Sequence, residues 1–475
     1  MPRFSPQDLA RWTGGRWTAE PTQPLHGFSV DSRQLGAGQV FVALKTEKRD
    51  GHDFVPAAAS AGASAAIVAA PQPHAALPQL VVTDPLAALQ AIAREHRRAF
   101  TGRVIGISGS AGKTSTKDLL ALLLGSATGV TGVTGQPPRG VLATEANLNN
   151  HIGVPLTLTR IDPAQHAFAV VEAGISGPGE MDVLADMIQP DVAIITLVGP
   201  AHTEELGGLE GVAREKAKLP AATRALGVAV FTRESAAYPA FRELGVRAMI
   251  VERADVLRPA EPPKDTVYFT LTQRAEETAV ALAYGAPPPR VFTFRRVSDG
   301  MAQNAVLAIC AALWLGVPID DIQHRLALWQ PAKLRGEVRR ESGRLLYLDC
   351  YNANPASMAD ALSAFDAISM PDVPRLYILG SMEELGADAA AYHQALGRSF
   401  NLRTRDRLYV VGSHAEDVRD GALEVRNPAA QVQVVAQAAD LTELVREWKG
   451  AVFIKGSRRY QLERVLERAG SGAPA

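Results

Sequence analysis

The sequence predicts an α/β protein of three domains whose central domain has a mostly parallel sheet. Apolar runs of strand length alternate with helical patterns, as in RVIGISG, TSTKDLLALLL and then HAFAVVEAG. This alternation is typical of βαβ units, which place helices on both faces of a parallel sheet. The chain has 475 residues, 47% of them hydrophobic, and a chain of this length is expected to form about three domains with their own cores.

Two charged or Pro-containing stretches indicate domain boundaries. The first, AREHRRAFTGR, precedes the first strand of the central βαβ alternation, and the second lies within LALWQPAKLRGEV. We therefore predict domains at residues 1–98, 99–328 and 329–475. Residues 128–140 are rich in Gly, Thr and Pro and predict a loop, whereas 253–297 predict short strands between Pro clusters; neither segment suggests a role.

Composition and motif spacing exclude several classes of protein. Lys and Arg number 49 against 50 Asp and Glu, so we expect no nucleic acid as partner. The amino-terminal residues lack an apolar core of signal-peptide length, and no apolar run is long enough to insert into a membrane, so we expect a cytoplasmic protein. Cys310 and Cys350 show neither metal-ligand spacing nor a disulfide framework, which predicts ordinary thiols.

The stretch GISGSAGKTSTKDLL predicts a phosphate-binding loop between a strand and a helix. Its glycines let backbone N–H groups approach phosphate oxygens, and the helix N-terminus adds partial positive charge. Lys113 can reach the terminal phosphates, and the Thr114 hydroxyl can bind Mg²⁺. The common spacing has a glycine where this chain has Ile107, so a glycine-rich turn with a solvated lysine is the alternative.

Two further polar residues follow predicted strands, at the sheet edge where open α/β folds bind ligands. Glu172 ends the strand FAVVEAG, and His202 follows VAIITLVGPA. A carboxylate that ends an apolar strand needs a cation or hydrogen-bond donors, and its hard oxygens suit Mg²⁺. Taken alone, Glu172 also fits a structural ion pair and His202 a structural hydrogen bond.

Together these motifs resemble those of the Mur ligases, ATP-dependent amide-forming enzymes of peptidoglycan synthesis, whose loop needs no glycine at the position of Ile107. The resemblance extends from about residue 29 to 465 and is carried by DSRQLGAGQVFVALK, ATEANLNNHIGVPLTL, VGPAHTEELGGLEGVAREKAK, LDCYNANPASM, ILGSMEELG and IKGSRRYQLERVL. Within the family, the chain is most similar to members that add D-Ala-D-Ala to UDP-MurNAc-tripeptide.

The resemblance implies both architecture and reaction. A smaller UDP-binding α/β domain would precede a central P-loop ATPase domain, and a dinucleotide-fold-like third domain would close on the nucleotide and D-Ala-D-Ala. A substrate carboxylate would attack the γ-phosphate of ATP, giving ADP and an acyl phosphate, from which the dipeptide amine displaces phosphate. This is the last cytoplasmic precursor step of peptidoglycan synthesis. We expect a monomer, and the third residue of the tripeptide, meso-diaminopimelate or lysine, remains open.

The resemblance also implies site residues. Those for ATP are Gly109, Ser110, Gly112, Lys113, Thr114, Ser115, Asn304, Arg335 and Asp349. Those for Mg²⁺, with two sites expected, are Thr114, Glu172, His202 and Lys216, the last as a carbamate formed with CO₂. The catalytic set is Lys113, Glu172, His202, Lys216 and Arg335. Those for the substrates are Ser32, Arg33, Lys45, Thr144, Asn147, Asn149, Asn150, Asn352, Asn354 and Ser357.

Several of these assignments have structural alternatives. The DSR segment also fits a capped turn, and YNANPASM also fits an Asn-Pro turn. Lys216 also fits a solvated helix residue, and Lys218 is the competing candidate, although a helix would turn it roughly 200° away. The chain departs from the family pattern at Thr46, Gln303 and Ser381.

Two other functions stay open. Another ligase of the superfamily, adding a different amino acid or acting in folate polyglutamylation, would keep the phosphate loop, Glu172 and His202 but lose YNANPASM. A nucleotide-binding regulatory protein would keep the loop without an amine-dependent ATPase.

Overall fold

A computed structural model describes residues 2–125, 140–255, 264–284, 288–341 and 343–467. Within these ranges the chain forms three sheets in chain order, of five, nine and six strands. The predicted α/β class is therefore confirmed. Each sheet lies inside one of the three predicted segments, although the exact domain boundaries stay a prediction.

The amino-terminal domain is a small α/β unit. Its elements are α1 (Pro6–Thr13), β1 (Arg16–Trp17), β2 (Phe28–Ser29), β3 (Val40–Val42), α2 (Val55–Ser60), β4 (Ala65–Val68), β5 (Gln79–Val81) and α3 (Pro85–Ala99). The strand order is β1-β5-β4-β3-β2, in which β1 and β5 are antiparallel and the other pairs are parallel. Helix α3 begins at Pro85 after the Asp84 side chain caps its first turn, and it buries Leu89 and Ile92 in the core of this domain.

The central domain contains the nine-stranded sheet. Its elements are β6 (Arg103–Ser108), α4 (Lys113–Leu123), β7 (Gly140–Ala143), α5 (Gly153–Leu158), β8 (His166–Glu172), α6 (Glu180–Ile188), β9 (Val192–Ile195), α7 (Thr203–Leu206), α8 (Gly208–Ala221), β10 (Val228–Thr232), α9 (Arg233–Ala236), α10 (Pro239–Arg242), β11 (Ala248–Arg253), β12 (Thr266–Gln273), β13 (Glu277–Ala283), β14 (Arg290–Arg295), α11 (Asp299–Trp314) and α12 (Ile319–Leu328).

The order of this sheet places β6 between β8 and β9. The full order is β14-β13-β12-β11-β10-β9-β6-β8-β7, with parallel pairing from β12 through β7. The mostly parallel sheet is confirmed. The predicted short strands of residues 253–297 include β12, β13 and β14, and the last two extend the sheet in antiparallel fashion. Of the predicted loop at 128–140, only Gly140 is described, and it begins β7.

The third domain contains the six-stranded sheet. Its elements are β15 (Glu337–Glu341), β16 (Arg344–Asp349), α13 (Pro355–Ile368), β17 (Arg375–Gly380), α14 (Ala389–Arg398), β18 (Arg407–Val411), α15 (Ala415–Glu424), β19 (Val432–Val435), α16 (Thr442–Glu447) and β20 (Ala451–Lys455). The order is β15-β16-β20-β17-β18-β19, in which β15 pairs antiparallel and the other strands pair parallel. The motifs RLYILGS, RLYVVGS and AVFIKGS coincide with β17, β18 and β20 and the turns that follow them.

The structure also bears on two predictions from the sequence, those on membrane insertion and on the two cysteines. Among the described residues, none of the helices combines the length and apolarity needed to cross a bilayer. Cys310 and Cys350 are buried free thiols, and burial raises the pKa of each to about 12. Thiols with such a pKa are protonated and unreactive, in keeping with the predicted ordinary role.

A buried ion pair joins the first two domains. Arg97, near the end of α3, is 0% exposed, and its guanidinium donates to Asp191 Oδ2 at 2.8 Å and to the carbonyl of Ile188 at 2.9 Å. Burial lowers the pKa of Arg97 to about 10, which leaves it charged at neutral pH. Asp191 also accepts from the N–H of Val104 at the start of β6. The pair therefore fixes α3 against the central sheet.

We predict that Arg97→Met lowers the free energy of unfolding by about 3–5 kcal/mol, because it leaves the Asp191 carboxylate buried without its main partner. The matched control is Arg94→Met, since Arg94 pairs with Asp186 at the surface, where such pairs contribute about 1 kcal/mol or less. Denaturant unfolding of both variants measures the difference, and equal losses would contradict this account.

Candidate functional site

The loop between β6 and α4 is built around two glycines that cannot be replaced without a clash. Gly109 has φ +147°, and a Cβ there would lie 1.9 Å from Thr196 Oγ1. Gly112 has φ +80°, and a Cβ there would lie 2.2 Å from Asn304 Nδ2. The Ser110 hydroxyl donates to the carbonyl of Gly199 at 2.8 Å, which ties the loop to the segment after β9. The loop backbone is thus held open at the N-terminus of α4, as phosphate binding requires.

Lys113, the first residue of α4, supplies a half-buried amine at this loop. Its Nζ donates to the carbonyl of Gly109 at 2.9 Å. Burial lowers the pKa of Lys113, and the nearby Arg335 adds to the shift, whereas Glu172 and Glu384 oppose it. Two cations and two carboxylates therefore act on one another at this sheet edge.

Glu172, the last residue of β8, has one carboxylate oxygen without a partner in the described part of the chain. It is 2% exposed, and its Oε1 accepts from Asn149 Nδ2 at 2.8 Å. Its Oε2 is buried and makes no hydrogen bond to any described residue. A buried carboxylate oxygen of this kind is costly unless a cation binds it. Mg²⁺ binds through one or two carboxylates together with phosphate and water oxygens, so Glu172 with the Thr114 hydroxyl fits such an ion.

The third domain completes the site from the opposite side. Arg335, on the segment that enters this domain, stacks its guanidinium 3.9 Å from the centre of the Tyr351 ring. Asn354 Nδ2 donates to the carbonyl of Ser110 in the phosphate loop at 3.1 Å. The third domain is therefore docked against the loop in this structure.

These groups line one cavity of about 380 Å³. The predicted residues that line it are Ser110, Gly112, Lys113, Thr114, Ser115, Asn147, Asn149, Glu172, Asn304, Arg335, Asp349, Asn352, Asn354 and Ser357. The structure thus brings most of the nucleotide set together with residues of the third domain. Gln303, which departs from the family pattern, also lines the cavity.

Several predicted substrate residues also make hydrogen bonds within the protein. Thr144 is 1% exposed, and its hydroxyl oxygen accepts from the N–H of Glu172 at 2.9 Å, so it positions Glu172. Asn354 and Ser357 form a capping box at the start of α13, as in the Asn-Pro turn alternative. Asn150 is exposed, and its Oδ1 accepts from the N–H of Gly153 at 2.9 Å. Helix capping therefore accounts for Asn354 and Ser357, and backbone hydrogen bonds account for Thr144 and Asn150.

The predicted residues of the first domain lie outside this cavity. Ser32 and Arg33 belong to a short helical turn capped by Asp31, as in the capped-turn alternative. The Arg33 guanidinium is 2.8 Å from the Asp31 carboxylate and holds the pKa of Asp31 at about 2. Lys45 is exposed and lies 3.5 Å from Asp50. Both cations face solvent, where an anionic ligand can reach them.

His202 and Lys216 also lie outside the cavity lining. His202 Nδ1 is 2.9 Å from Glu384 Oε2 of the third domain. Lys216 is 2% exposed, and burial lowers its pKa well below the ordinary value, with a further contribution from Lys113. Lys218 instead lies at the surface in an ion pair with Asp182. The described residues contain no cluster of three or more His, Cys, Asp or Glu side chains that could hold a metal.

Sequence reasoning missed Lys455, which lines the cavity. It is 1% exposed, ends β20, and donates to Asp349 Oδ2 at 2.6 Å. The sequence does contain a feature that indicates Lys455, namely a lysine at the end of an apolar strand. Such a lysine needs an anionic partner, just as Glu172 needs a cation. Its partner lies 106 residues away in sequence, so the pairing itself could not be deduced.

Comparisons with known proteins match the chain to one family. Residues 24–97 match the model "Mur ligase family, catalytic domain", residues 107–254 the "Mur ligase middle domain", and residues 334–458 the "Mur ligase, glutamate ligase domain". The UDP-N-acetylmuramoyl-tripeptide–D-alanyl-D-alanine ligase of Escherichia coli K12 is 31% identical over 456 residues, or 93% of each chain.

Solved structures agree with this match. A crystal structure of MurF from Acinetobacter baumannii superimposes with a TM-score of 0.83 at 27% identity, covering 98% of both chains. The crystal structure of the MurF ligase of Thermotoga maritima in complex with ADP superimposes with a TM-score of 0.75 at 26% identity, covering 93% of this chain and 96% of the other.

We predict that Gly112→Ala weakens ADP binding about tenfold or more, because it combines a strained positive φ with the clash against Asn304. Gly179→Ala is the matched control, since Gly179 also precedes a helix at φ +81°, but a Cβ there would meet no atom of the described residues within 4 Å. Isothermal titration with ADP and Mg²⁺ measures both affinities. Equal losses of ADP affinity in the two variants would contradict the prediction, because they would show that the contact with Asn304 does not contribute.

Proposed function

The chain belongs to the Mur ligase family, and we propose that it adds D-Ala-D-Ala to UDP-MurNAc-tripeptide while converting ATP to ADP and phosphate. The observation that carries the proposal is that Lys113, Glu172 and Arg335 line one cavity, although they come from the phosphate loop, a neighbouring strand and the third domain. The relatives with this named activity match nearly the whole chain, which supports the same reaction here.

The reaction begins with transfer of a phosphoryl group between two anions. A carboxylate oxygen of the tripeptide attacks the γ-phosphorus, the bond to the β–γ bridging oxygen breaks, and ADP leaves. Lys113 and Arg335 place positive charge on either side of the cavity that the phosphates would fill. Positioning and electrostatic stabilisation are the main contributions that a protein makes to such a transfer.

The second step forms the amide. The amine of D-Ala-D-Ala attacks the acyl carbon, the carbon–oxygen bond to phosphate breaks, and the amine proton passes to the departing phosphate or to water. The acyl phosphate must be kept from water until the amine arrives. The third domain docks on the phosphate loop through Asn354 and Ser110 and supplies part of the cavity lining, which would limit the access of water.

Mg²⁺ would be held by Thr114 and Glu172, and when bound it neutralises charge on the phosphates. We assign His202 and a carbamate on Lys216 to a second ion, as the family resemblance implies. The deep burial of Lys216 and the repulsion from Lys113 both favour the neutral amine, which is the form that reacts with CO₂. A carbamate would also replace a buried neutral amine by an anion beside Lys113.

The first domain is proposed to hold the UDP end of the substrate. Ser32, Arg33 and Lys45 present a hydroxyl and two exposed cations to solvent. Asn147 and Asn149 line the cavity and would meet the sugar or peptide between the two ends. A cytoplasmic location and a monomeric state remain predictions.

Phosphate release tests the proposed function directly. The purified protein is given ATP, Mg²⁺ and UDP-MurNAc-tripeptide, with either diaminopimelate or lysine as third residue, in the presence and absence of D-Ala-D-Ala. We expect release that depends on the dipeptide. Release with glutamate or another amino acid instead would identify a different ligase of the superfamily, and no amine-dependent release would favour a regulatory nucleotide-binding protein.

We predict that Arg335→Ala lowers kcat by about 100-fold or more while the Kd for ATP changes by less than about fivefold, because Arg335 reaches the γ-phosphate from the docked third domain. Arg335→Lys should recover only part of the rate, since lysine cannot stack on Tyr351 in the same way. Arg339→Ala is the control, because Arg339 pairs with Glu337 in the adjoining strand. A large loss of ATP affinity with unchanged kcat would contradict this role.

We predict that Lys216→Ala abolishes ligation and that a small carboxylic acid at high concentration partly restores it, because the acid replaces the carbamate oxygens. Lys218→Ala should be mild in comparison, since Lys218 is partly exposed and forms ion pairs with Asp182 and Glu215. Activity should fall as the pH decreases, because acid protonates the amine and releases CO₂. An active Lys216→Ala enzyme, together with a structure at neutral pH that shows an unmodified Lys216 amine, would remove the carbamate from the mechanism.

A further inference from the structure

We propose that Glu384, supplied by the third domain, is a positioning residue that fixes the orientation of His202 beside the phosphate loop when the third domain docks. This inference rests on the proposed function, because it assigns Glu384 to the same ligation site. It adds a residue that acts through His202, and it makes the orientation of His202 depend on domain docking.

Three hydrogen bonds join the segment after β9 to the segment after β17. His202 Nδ1 lies 2.9 Å from Glu384 Oε2, and the backbone N–H of His202 donates to the carbonyl of Glu384 at 3.1 Å. Next to them, the Thr203 hydroxyl donates to the carbonyl of Leu385 at 3.3 Å. The side chain of His202 is therefore held by the same residue that holds its backbone.

Both residues adopt a backbone conformation that side chains disfavour. His202 has φ +55° and Glu384 has φ +62°. Residues other than glycine keep such angles only where the surrounding contacts enforce them. The next glycine, Gly386, fits tightly as well, because a Cβ there would lie 2.7 Å from the Cβ of Glu204. Contacts across the domain boundary thus stabilise the backbone conformation of both segments, the one after β9 and the one after β17.

The chemistry of the contact determines which nitrogen of His202 is left free to act. A carboxylate only accepts hydrogen bonds, so Nδ1 carries a proton, and in the neutral ring Nε2 keeps its lone pair. A carboxylate that fixes the tautomer and the angle of a functional histidine is a recurring arrangement in enzymes. Glu384 therefore prepares His202 to accept a proton or to bind a cation through Nε2.

The position of Glu384 also favours this role over a purely structural one. Glu384 is close enough to Lys113 to raise the pKa of that lysine. A carboxylate near a phosphate-binding lysine would repel the phosphates, so its placement there is unfavourable unless it serves another group. The hydrogen bond to His202 provides that reason. Because the contact crosses two domains, His202 is oriented only while the third domain is docked.

The test compares Glu384→Ala with Glu383→Ala, which removes the neighbouring carboxylate. Glu383 is a suitable control because it contacts Tyr460 and Arg459 within the third domain. We expect Glu384→Ala to lower kcat for dipeptide-dependent phosphate release by about 10–100-fold, with the KM for ATP within about threefold. Glu383→Ala should leave kcat within about threefold, and Glu384→Gln, which can still accept from Nδ1, should keep more activity than Glu384→Ala.

A double-mutant cycle with His202→Ala separates positioning from a structural role. If Glu384 acts through His202, the variant lacking both side chains should be no slower than His202→Ala alone. Small-angle scattering with ADP and Mg²⁺ should show the same compaction for Glu384→Ala as for the unaltered protein. Additive losses in the cycle, loss of compaction, or an unchanged kcat in Glu384→Ala would each overturn the inference.

Misfolding of a variant and failure of the proposed function can both be distinguished from failure of this inference. If Glu384→Ala does not fold, as judged by its thermal transition, Glu384→Gln and its cycle with His202→Ala decide the question. If the unaltered protein shows no dipeptide-dependent release, the proposed function fails; normal release that is insensitive to Glu384 rejects only this inference.

Discussion

The site depends on one electrostatic constraint: cations that can bind phosphates and a carboxylate that can bind a metal must lie close together where three central strands end. Lys113 is half-buried there, and its partial desolvation lowers its pKa. Helix α4 contributes its N-terminus, and Arg335 contributes a second cation from another domain. A partly desolvated cation gains from an anion that binds it, so the same arrangement favours binding of a polyanion. Glu172 is the matching case of opposite sign, with one carboxylate oxygen left unpaired by the described residues.

This constraint explains why the third domain has to dock. The central domain provides the loop, Lys113 and Glu172, the part of the lining that we propose holds the phosphates and Mg²⁺. Arg335 and the contact of Asn354 with Ser110 come from beyond the central sheet, so the full set of charges is assembled only in the docked arrangement. Coupling assembly to docking would keep ATP from reacting before all substrates are bound.

Much of the fold could be predicted from the sequence, because each βαβ unit is encoded locally in apolar strands and helical repeats. The phosphate loop was recognisable for the same reason. The family resemblance predicts that Asn354 and Thr144 meet the substrates, and the same side chains also suit capping and buried hydrogen bonds. Their partners decide between these roles, and partners far apart in sequence, such as Lys455 with Asp349 or Glu384 with His202, are known only once the chain has folded.

Oxygen transfer tests the central claim most directly, namely that this site joins a substrate carboxylate to the γ-phosphate before the amide forms. UDP-MurNAc-tripeptide labelled with ¹⁸O in its terminal carboxylate is incubated with ATP, Mg²⁺, D-Ala-D-Ala and the protein, and the released phosphate is analysed by mass spectrometry. The account predicts one ¹⁸O atom in each phosphate, since the carboxylate oxygen that attacks phosphorus leaves with it. Amide product accompanied by unlabelled phosphate would contradict the acyl-phosphate route.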